Sequence, residues 1–330
     1  MHGLAHTSLV RRLRLCVVGA EGGDEYAKAL SRFDALSCVY DADVHKAREF
    51  ASRYGVSYYT SLEEMIASKP DGLVIATPAD THLSIIASVI EQCKNIFLVR
   101  PVGGSFRECK EIVGMARKGK AMLVPGYIER FNPLLNKARE IVESRRYGSI
   151  LMLEIQSGMR GKSLNSSLYV ALDDIDAALY MLNAYPDTVF AVGSMDKRVM
   201  AMTLGFRDGR VACLTSNSIK GFRRMTITME NGIARCDLVR QEIEVEGDGD
   251  VSSNNNSNNS SSNYLIRMEE SEEPISSAIR NFIDAIEGRD KPKVSINDAL
   301  LIERVADSAL LSSRLGSQLY IHIQQDADII

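Results

Sequence analysis

Nothing in this chain of 330 residues approaches the ~20 consecutive apolar residues that a bilayer-spanning helix needs. The first twelve residues also lack the apolar core of a secretory signal. An excess of one charge is missing too. Lys+Arg 39 against Asp+Glu 43 leaves a net charge of -4, which removes the electrostatic case for nucleic acid or an anionic membrane surface. Arg11, Arg12 and Arg14 form the early basic cluster, and it abuts a strand pattern, as the solvated start of a strand does. The six cysteines (Cys16, Cys38, Cys93, Cys109, Cys213, Cys236) are dispersed with no C-x-x-C pair. They predict buried thiols in a reducing cytoplasm, not a disulfide or zinc framework. His2, His6, His45 and His322 have no partners at metal-ligand spacing, and no metal is expected. No segment repeats. With 45% hydrophobic and 25% charged residues, what remains is a soluble globular composition long enough for two domains.

Up to about residue 122 the pattern alternates strand and helix, which predicts a parallel sheet with helices on both faces. Strands are expected at Leu13 to Val18, Ser37 to Asp41, Gly72 to Ala76, Asn95 to Val99 and Ala121 to Val124, and helices at Asp43 to Tyr54, Ser61 to Ala67, Thr81 to Cys93 and Ser105 to Lys118. Thr77-Pro78 and Pro101-Val102-Gly103-Gly104 then fall at the carboxyl ends of strands, where such sheets bind ligands. Beyond Arg130-Phe131-Asn132-Pro133, closely spaced strand patterns joined by Arg207-Asp208-Gly209 and Glu230-Asn231-Gly232 predict an antiparallel sheet. Helices near Ile275 to Glu287 and Ile296 to Leu315 close the chain. Ser252 to Asn263 holds only Ser and Asn, too little apolar surface to offset ordering entropy, and reads as a mobile insertion at a hairpin tip.

The first βα junction carries chemistry. Leu13 to Val18 reads as a buried strand, Gly19-Ala20-Glu21-Gly22-Gly23-Asp24 as the turn and Glu25 to Phe33 as the helix of a dinucleotide-binding unit. In a G-x-G-x-x-G turn the second Gly admits the pyrophosphate and the third lets helix pack on strand. Glu21 and Asp24 hold those places here. A carboxylate ~4 Å from a pyrophosphate charge, at an effective dielectric of ~20, costs about 4 kcal/mol, so weak NAD binding is expected. Asp24 is also placed to cap the helix in this reading. The other reading is that Gly22 and Gly23 shift the turn and swing Glu21 into solvent. Asp41, ending the second strand, is placed to accept from the ribose hydroxyls of NAD and to repel the phosphate of NADP, or else to cap the following helix.

These features resemble the glucose-fructose oxidoreductase and inositol dehydrogenase family, Gfo/Idh/MocA, over almost the whole chain. The resemblance rests on Val39-Tyr40-Asp41 with Ala47 to Gly55, Ala76-Thr77-Pro78 with His82, Val99-Arg100-Pro101 and Asp174-Ile175-Asp176. Gly126-Tyr127-Ile128-Glu129-Arg130-Phe131-Asn132-Pro133 is most similar to the branch that oxidises UDP-N-acetylglucosamine at its 3-position. The resemblance implies an α/β fold: a Rossmann doubly wound parallel sheet over residues 1–122, then an α+β domain with an open antiparallel sheet over 123–330. It implies NAD-dependent oxidation of a sugar or nucleotide-sugar hydroxyl, and dimers or tetramers built on the second sheet. Cofactor contacts fall on Gly19, Gly22, Gly23, Asp41, Thr77, Pro78, His82 and Pro101, with His82 more often orienting than catalytic. Substrate contacts fall on Tyr127, Arg130, Asn132 and Asp176, and the Arg100-Pro101 peptide is expected to be cis.

The family's Lys, Asp and His are replaced by Arg100, Tyr169 and Asp173. Around them Leu168, Leu172, Ile175, Leu179 and Leu182 recur at helical spacing as a core stripe. Tyr169, Asp173, Asp176 and Tyr180 form a second face, either solvated or lining a cleft. An ordinary Asp, at ~3.9, is a poor proton acceptor unless burial raises it, and Arg holds anions but does not shuttle protons. Arg100 with Tyr169 is one substitute pair, and an Arg100–Asp173 salt bridge that fills the site is the favoured one. Three functions stay open: the family's oxidation, altered chemistry through Tyr169 or Asp173, and a catalytically silent paralogue that binds a sugar or partners an active homologue.

Overall fold

The computed structural model describes residues 12–158, 166–194, 198–247, 263–268 and 272–321, and for 166–170 the backbone alone. The Ser/Asn insertion lies outside them except for Asn263.

The first sheet alternates with helices: β1 Leu15–Val18, α1 Ala20–Arg32, β2 Leu36–Tyr40, α2 Val44–Tyr54, β3 Ser57–Tyr59, α3 Leu62–Ala67, β4 Gly72–Ile75, α4 Ala79–Val89, β5 Asn95–Leu98, α5 Phe106–Lys118 and β6 Met122–Pro125. Its six parallel strands run β3-β2-β1-β4-β5-β6. That order reverses between β1 and β4, which puts the ligand crevice at their carboxyl ends. The short exposed β3 carries too little apolar signal to be foreseen. Asp43, whose side chain accepts from His45 N and Lys46 N, caps α2, so Asp41 is not its cap.

One expectation about this sheet is corrected. Cys16 and Cys38 stand in register on neighbouring parallel strands with Cα atoms 4.7 Å apart, and they form a disulfide where free thiols were expected. Spacing along the chain carries no information on that cross-strand pairing. Cys93, Cys109, Cys213 and Cys236 are free.

The second half contains α6 Pro133–Glu143, β7 Ile150–Gly158, α7 Ser166–Leu182, β8 Thr188–Gly193, β9 Val199–Gly205, β10 Val211–Asn217, β11 Phe222–Met229, β12 Gly232–Asp237, β13 Glu242–Gly247, β14 Tyr264–Arg267, α8 Pro274–Ile286, α9 Ile296–Leu315 and β15 Leu319–Tyr320. The nine strands run β14-β13-β12-β11-β7-β10-β9-β8-β15. The sheet is mixed, not wholly antiparallel as expected, because β7 and β10 pair in parallel. The helical crossover of α7 returns the chain to the end of the sheet from which β7 began, so the β8-β9-β10 meander brings a parallel partner back to β7. The Asn231-Gly232 and Asp208-Gly209 turns close hairpins as read, with Gly209 at φ 87.

Inward Met200, Met202, Leu204, Ala212 and Leu214 belong to a core shared with α7 and α9, while Phe190, Val192, Val199 and Leu265 stay exposed on the other face. The chain then returns to its first half. Ile279, Phe282 and Ile283 of α8 pack with Leu15, Val17 and Phe97, the Phe97 and Phe282 rings 5.7 Å apart. Among the described residues no helix is long and apolar enough to cross a membrane, and no group of His, Cys, Asp and Glu could hold a metal ion.

Candidate active site

Helix α1 starts at Ala20, not Glu25, because Gly19 at φ 95 turns the chain within one residue of β1. A Cβ on Gly22 would stand 2.2 Å from Ala76 O, and one on Gly23 would stand 2.3 Å from Val17 Cγ1. Gly22 therefore lets the helix touch the end of β4, and Gly23 performs the helix-on-strand packing expected of position 24. The shifted turn is the arrangement found.

Glu21 is corrected accordingly. Its side chain is 82% exposed and bonds Lys46 Nζ at 2.7 Å, and that hydrogen bond and charge hold its carboxyl below the usual range. Asp24 caps nothing: it lies a turn inside the helix and bonds Arg53 Nη1 at 2.6 Å and the Tyr54 hydroxyl at 2.9 Å. Neither acid faces the N-terminus of α1, and Gly19 supplies no side-chain cap. Asp41 sits at that N-terminus, its carboxylate accepting from Ala20 N at 2.9 Å and from Asp43 N at 2.9 Å. The glycine cradle, a helix N-terminus that Glu21 and Asp24 leave clear, and Asp41 beside it fit a dinucleotide.

Beyond β4, Thr77 Oγ1 accepts from Thr81 at 2.8 Å, and Pro78 precedes α4. His82 is buried, with Nε2 2.9 Å from Thr77 O and Nδ1 3.2 Å from Val102 O. Burial lowers its pKa. The Arg100-Pro101 peptide is cis, as expected.

Arg100 reaches across to α7 and donates to Asp173 Oδ2, forming the salt bridge favoured from the sequence. Leu172, Ile175, Leu179 and Leu182 form the buried stripe. The second face is not solvated: Asp173 and Asp176 are buried, as is Asp174 beside them. Tyr169 lies on α7, with its side chain outside the described residues.

Charge satisfies this buried face. Arg223 of β11 bonds Glu129 Oε1 at 2.8 Å and Asp174 Oδ1 at 3.1 Å, and its Nη1 lies 3.7 Å from Asp173 Oδ2. Ser157 and Ser216 donate to the other Asp174 oxygen. Arg130 spans Asp176 at 2.7 Å and Asp298 at 3.0 Å. Three guanidiniums thus meet five carboxylates. Burial, opposed by Arg100 and Arg223 and reinforced by Glu129 and Asp174, pushes Asp173 up to about 7. Burial likewise pushes Asp176 up to about 6 against Arg130. Asp173 Oδ1 has no hydrogen-bond partner among the described residues.

Of the expected substrate contacts, Tyr127 is fully buried, Arg130 and Asp176 bind each other, and Asn132 caps α6 through Leu134 N at 3.0 Å. Arg223, Glu129 and Glu303 were not foreseen. Arg223 shares strand parity with the inward Met225 and Ile227, and Glu303 lies on the stripe of Ala299, Ile302 and Ala306, so a charge at a core position was the available signal.

Residues 13–127 match the Gfo/Idh/MocA group, described as an oxidoreductase family with an NAD-binding Rossmann fold. Over these residues the chain carries the NAD-binding Rossmann fold of that family. The chain is similar to the inositol 2-dehydrogenase of Rhizobium meliloti, at 28% identity over 317 residues, covering 88% of this chain and 93% of that protein. The solved structure of UDP-N-acetylglucosamine 3-dehydrogenase GnnA from Acidithiobacillus ferrooxidans superposes with a TM-score of 0.82 at 19% identity, over 92% of this chain and 99% of that one. GenD2 from gentamicin A biosynthesis, solved in complex with NAD, superposes with a TM-score of 0.79 at 20% identity, over 95% of this chain and 97% of that one. At these identities the two structures speak for the fold.

Proposed function

We propose that this chain oxidises a secondary hydroxyl of a sugar or nucleotide sugar with NAD, using Asp173 as general base and Arg100 as the fixed cation beside it. The observation that carries this reading is the divided Asp173 carboxylate. One oxygen is ion-paired and the other has no hydrogen-bond partner among the described residues, on a group that burial brings to about 7. A base effective near neutral pH needs that value, and the ordinary Asp lacks it. NAD, held by Gly19, Gly22, Asp41, Thr77, Pro78 and Pro101 with Gly23 and His82 packed behind them, would supply a hydride acceptor. Asp173 takes the hydroxyl proton as the carbinol carbon becomes a ketone. Arg100 stays charged, orients the carboxylate and moves no proton. Asp41 favours NAD over NADP by repelling a ribose phosphate. Tyr127, Arg130, Asn132 and Asp176 brace the substrate side. The sugar class is supported by the names of the inositol and UDP-N-acetylglucosamine relatives.

A specific observation favours a second reading, a silent paralogue that retains a ligand: Arg100 and Arg223 already have carboxylate partners without substrate. Nicotinamide reduction with myo-inositol or UDP-N-acetylglucosamine, lost in Asp173→Asn, separates the two. No reduction with either nicotinamide, alongside a melting temperature raised by the sugar, supports the silent binder. A second copy of the chain is the proposed cover for the sheet face bearing Phe190, Val192 and Val199. Sedimentation as a strict monomer at micromolar concentration would remove that part.

A further inference from the structure

We propose that Glu303 is a positioning residue that sets the Arg100 guanidinium by holding the Val102 amide, with the His82 ring lying between the carbonyls of Val102 and Thr77 on the other side of the loop. Glu303, on α9, is buried and its carboxylate accepts from Val102 N. His82, on α4, is buried and its Nδ1 lies 3.2 Å from Val102 O. One residue in the loop after β5 thus lies between a helix from each half of the chain, two residues beyond Arg100. The same ring places Nε2 2.9 Å from Thr77 O, which sets it between this loop and the turn after β4. A neutral imidazole donates through one nitrogen only, so the ring bridges both carbonyls but bonds one of them at a time.

The next residue closes off the third direction. A Cβ on Gly103 would stand 2.5 Å from Cys109 N, so the first turn of α5 lies directly against the loop. With α4, α5 and α9 fixed, the path of residues 100–103 has little freedom, and the Arg100 side chain leaves it toward Asp173. Burying a carboxylate is costly, and a purely apolar contact would hold α9 in place as well. What the carboxylate adds is a bond to the loop amide, which fixes position and orientation together.

This inference rests on the reading of Arg100 and Asp173 as the working pair, so its test has two independent readouts on the full-length chain. Glu303→Leu removes the acceptor and leaves the Val102 amide buried without a partner. The expected result is a fall in kcat of about 10²-fold, the loss that a misplacement of ~1 Å brings, with KM for NAD nearly unchanged. Glu303→Gln, which keeps one acceptor oxygen, should restore most of it. In an Arg100→Met background Glu303→Leu should cause no further loss, because the two act through one group. Additive losses, or a KM for NAD that rises in step, would make Glu303 an ordinary core residue and overturn the proposal.

Hydrogen exchange reads the same grip without turnover. In Glu303→Leu the amides of residues 102 and 103 should exchange at least about tenfold faster while those of β5 are unchanged. Uniform exchange across both segments, or no change at Val102, overturns the positioning role even if the wild type is active. Accelerated exchange at Val102 in a chain that reduces no nicotinamide would uphold the grip and reject the oxidation. Should Glu303→Leu fail to fold, Glu303→Asp, one methylene shorter, gives the same pair of readouts.

Discussion

At the end of β1, Glu21 is exposed and Asp24 half-buried, paired with Lys46 and Arg53, whereas Asp173, Asp174 and Asp176 on α7 are buried among Arg100, Arg130 and Arg223. The same side-chain chemistry runs in opposite directions. Glu21 sits below the ordinary carboxylate range because a cation is near and water still solvates it. Asp173 and Asp176 sit above it, at about 7 and about 6, because burial outweighs their guanidinium partners. An acid in a cofactor turn is harmless once it points outward, and an acid on a helix becomes a base near neutrality once it points inward.

The largest expected effect breaks the buried set. Asp173→Asn and Arg100→Met should each lower the proposed turnover by about 10² to 10⁴, measured as reduced nicotinamide formed per second. In the wild type kcat should fall as pH drops through about 7, when Asp173 takes up its proton, and a flat profile across that range would assign the base elsewhere. Next comes the turn itself. Gly22→Ala places a methyl 2.2 Å from backbone at Ala76, which must shift. A cost of about 1–3 kcal/mol is expected, seen as a lower melting temperature and weaker NAD binding by calorimetry.

A third test uses stability. Asp173, Asp176 and Glu303 all have folded pKa values raised above the ordinary carboxylate range, to about 7, 6 and 7. Groups shifted this way contribute stability that is present at low pH and lost as pH rises through 6–7, where the folded chain must release protons from buried sites. Thermal melts at low salt should therefore show a melting temperature several degrees higher at pH ~5 than at pH ~8, with the slope reduced in Asp176→Asn. The smallest effect sharpens the contrast from the other side: Glu21→Ala with Asp24→Ala should change NAD affinity by less than about threefold, since exposed ion pairs contribute little.

Much of this fold was legible because period and punctuation carry it. Gly19, Thr77-Pro78, Asn231-Gly232 and the apolar stripe of α7 each dictate a local conformation, and the Arg100–Asp173 pair followed from aligning two motifs. What escaped depends on cross-strand neighbours. Cys16 and Cys38 meet because β1 and β2 pair in register, and Glu21 turns away because α1 starts five residues earlier than the glycine spacing suggested. Arg223 and Glu303 were missed for a related reason: each sits on a core-facing position where a charge looks like an error until its partner, far along the chain, is known.

Helix α8 bears on how the protein is made. Its Ile279, Phe282 and Ile283 complete a cover over β1 and β5 that Tyr26, Ala27 and Leu30 of α1 begin, so that face of the first sheet stays only partly covered until the last quarter of the chain has been synthesised. On the ribosome the first half therefore completes its packing only after most strands of the second sheet have been made, and a fragment ending near residue 122 would leave Leu15, Val17 and Phe97 partly uncovered and prone to aggregation. The two halves are separable along the sequence but close as one unit.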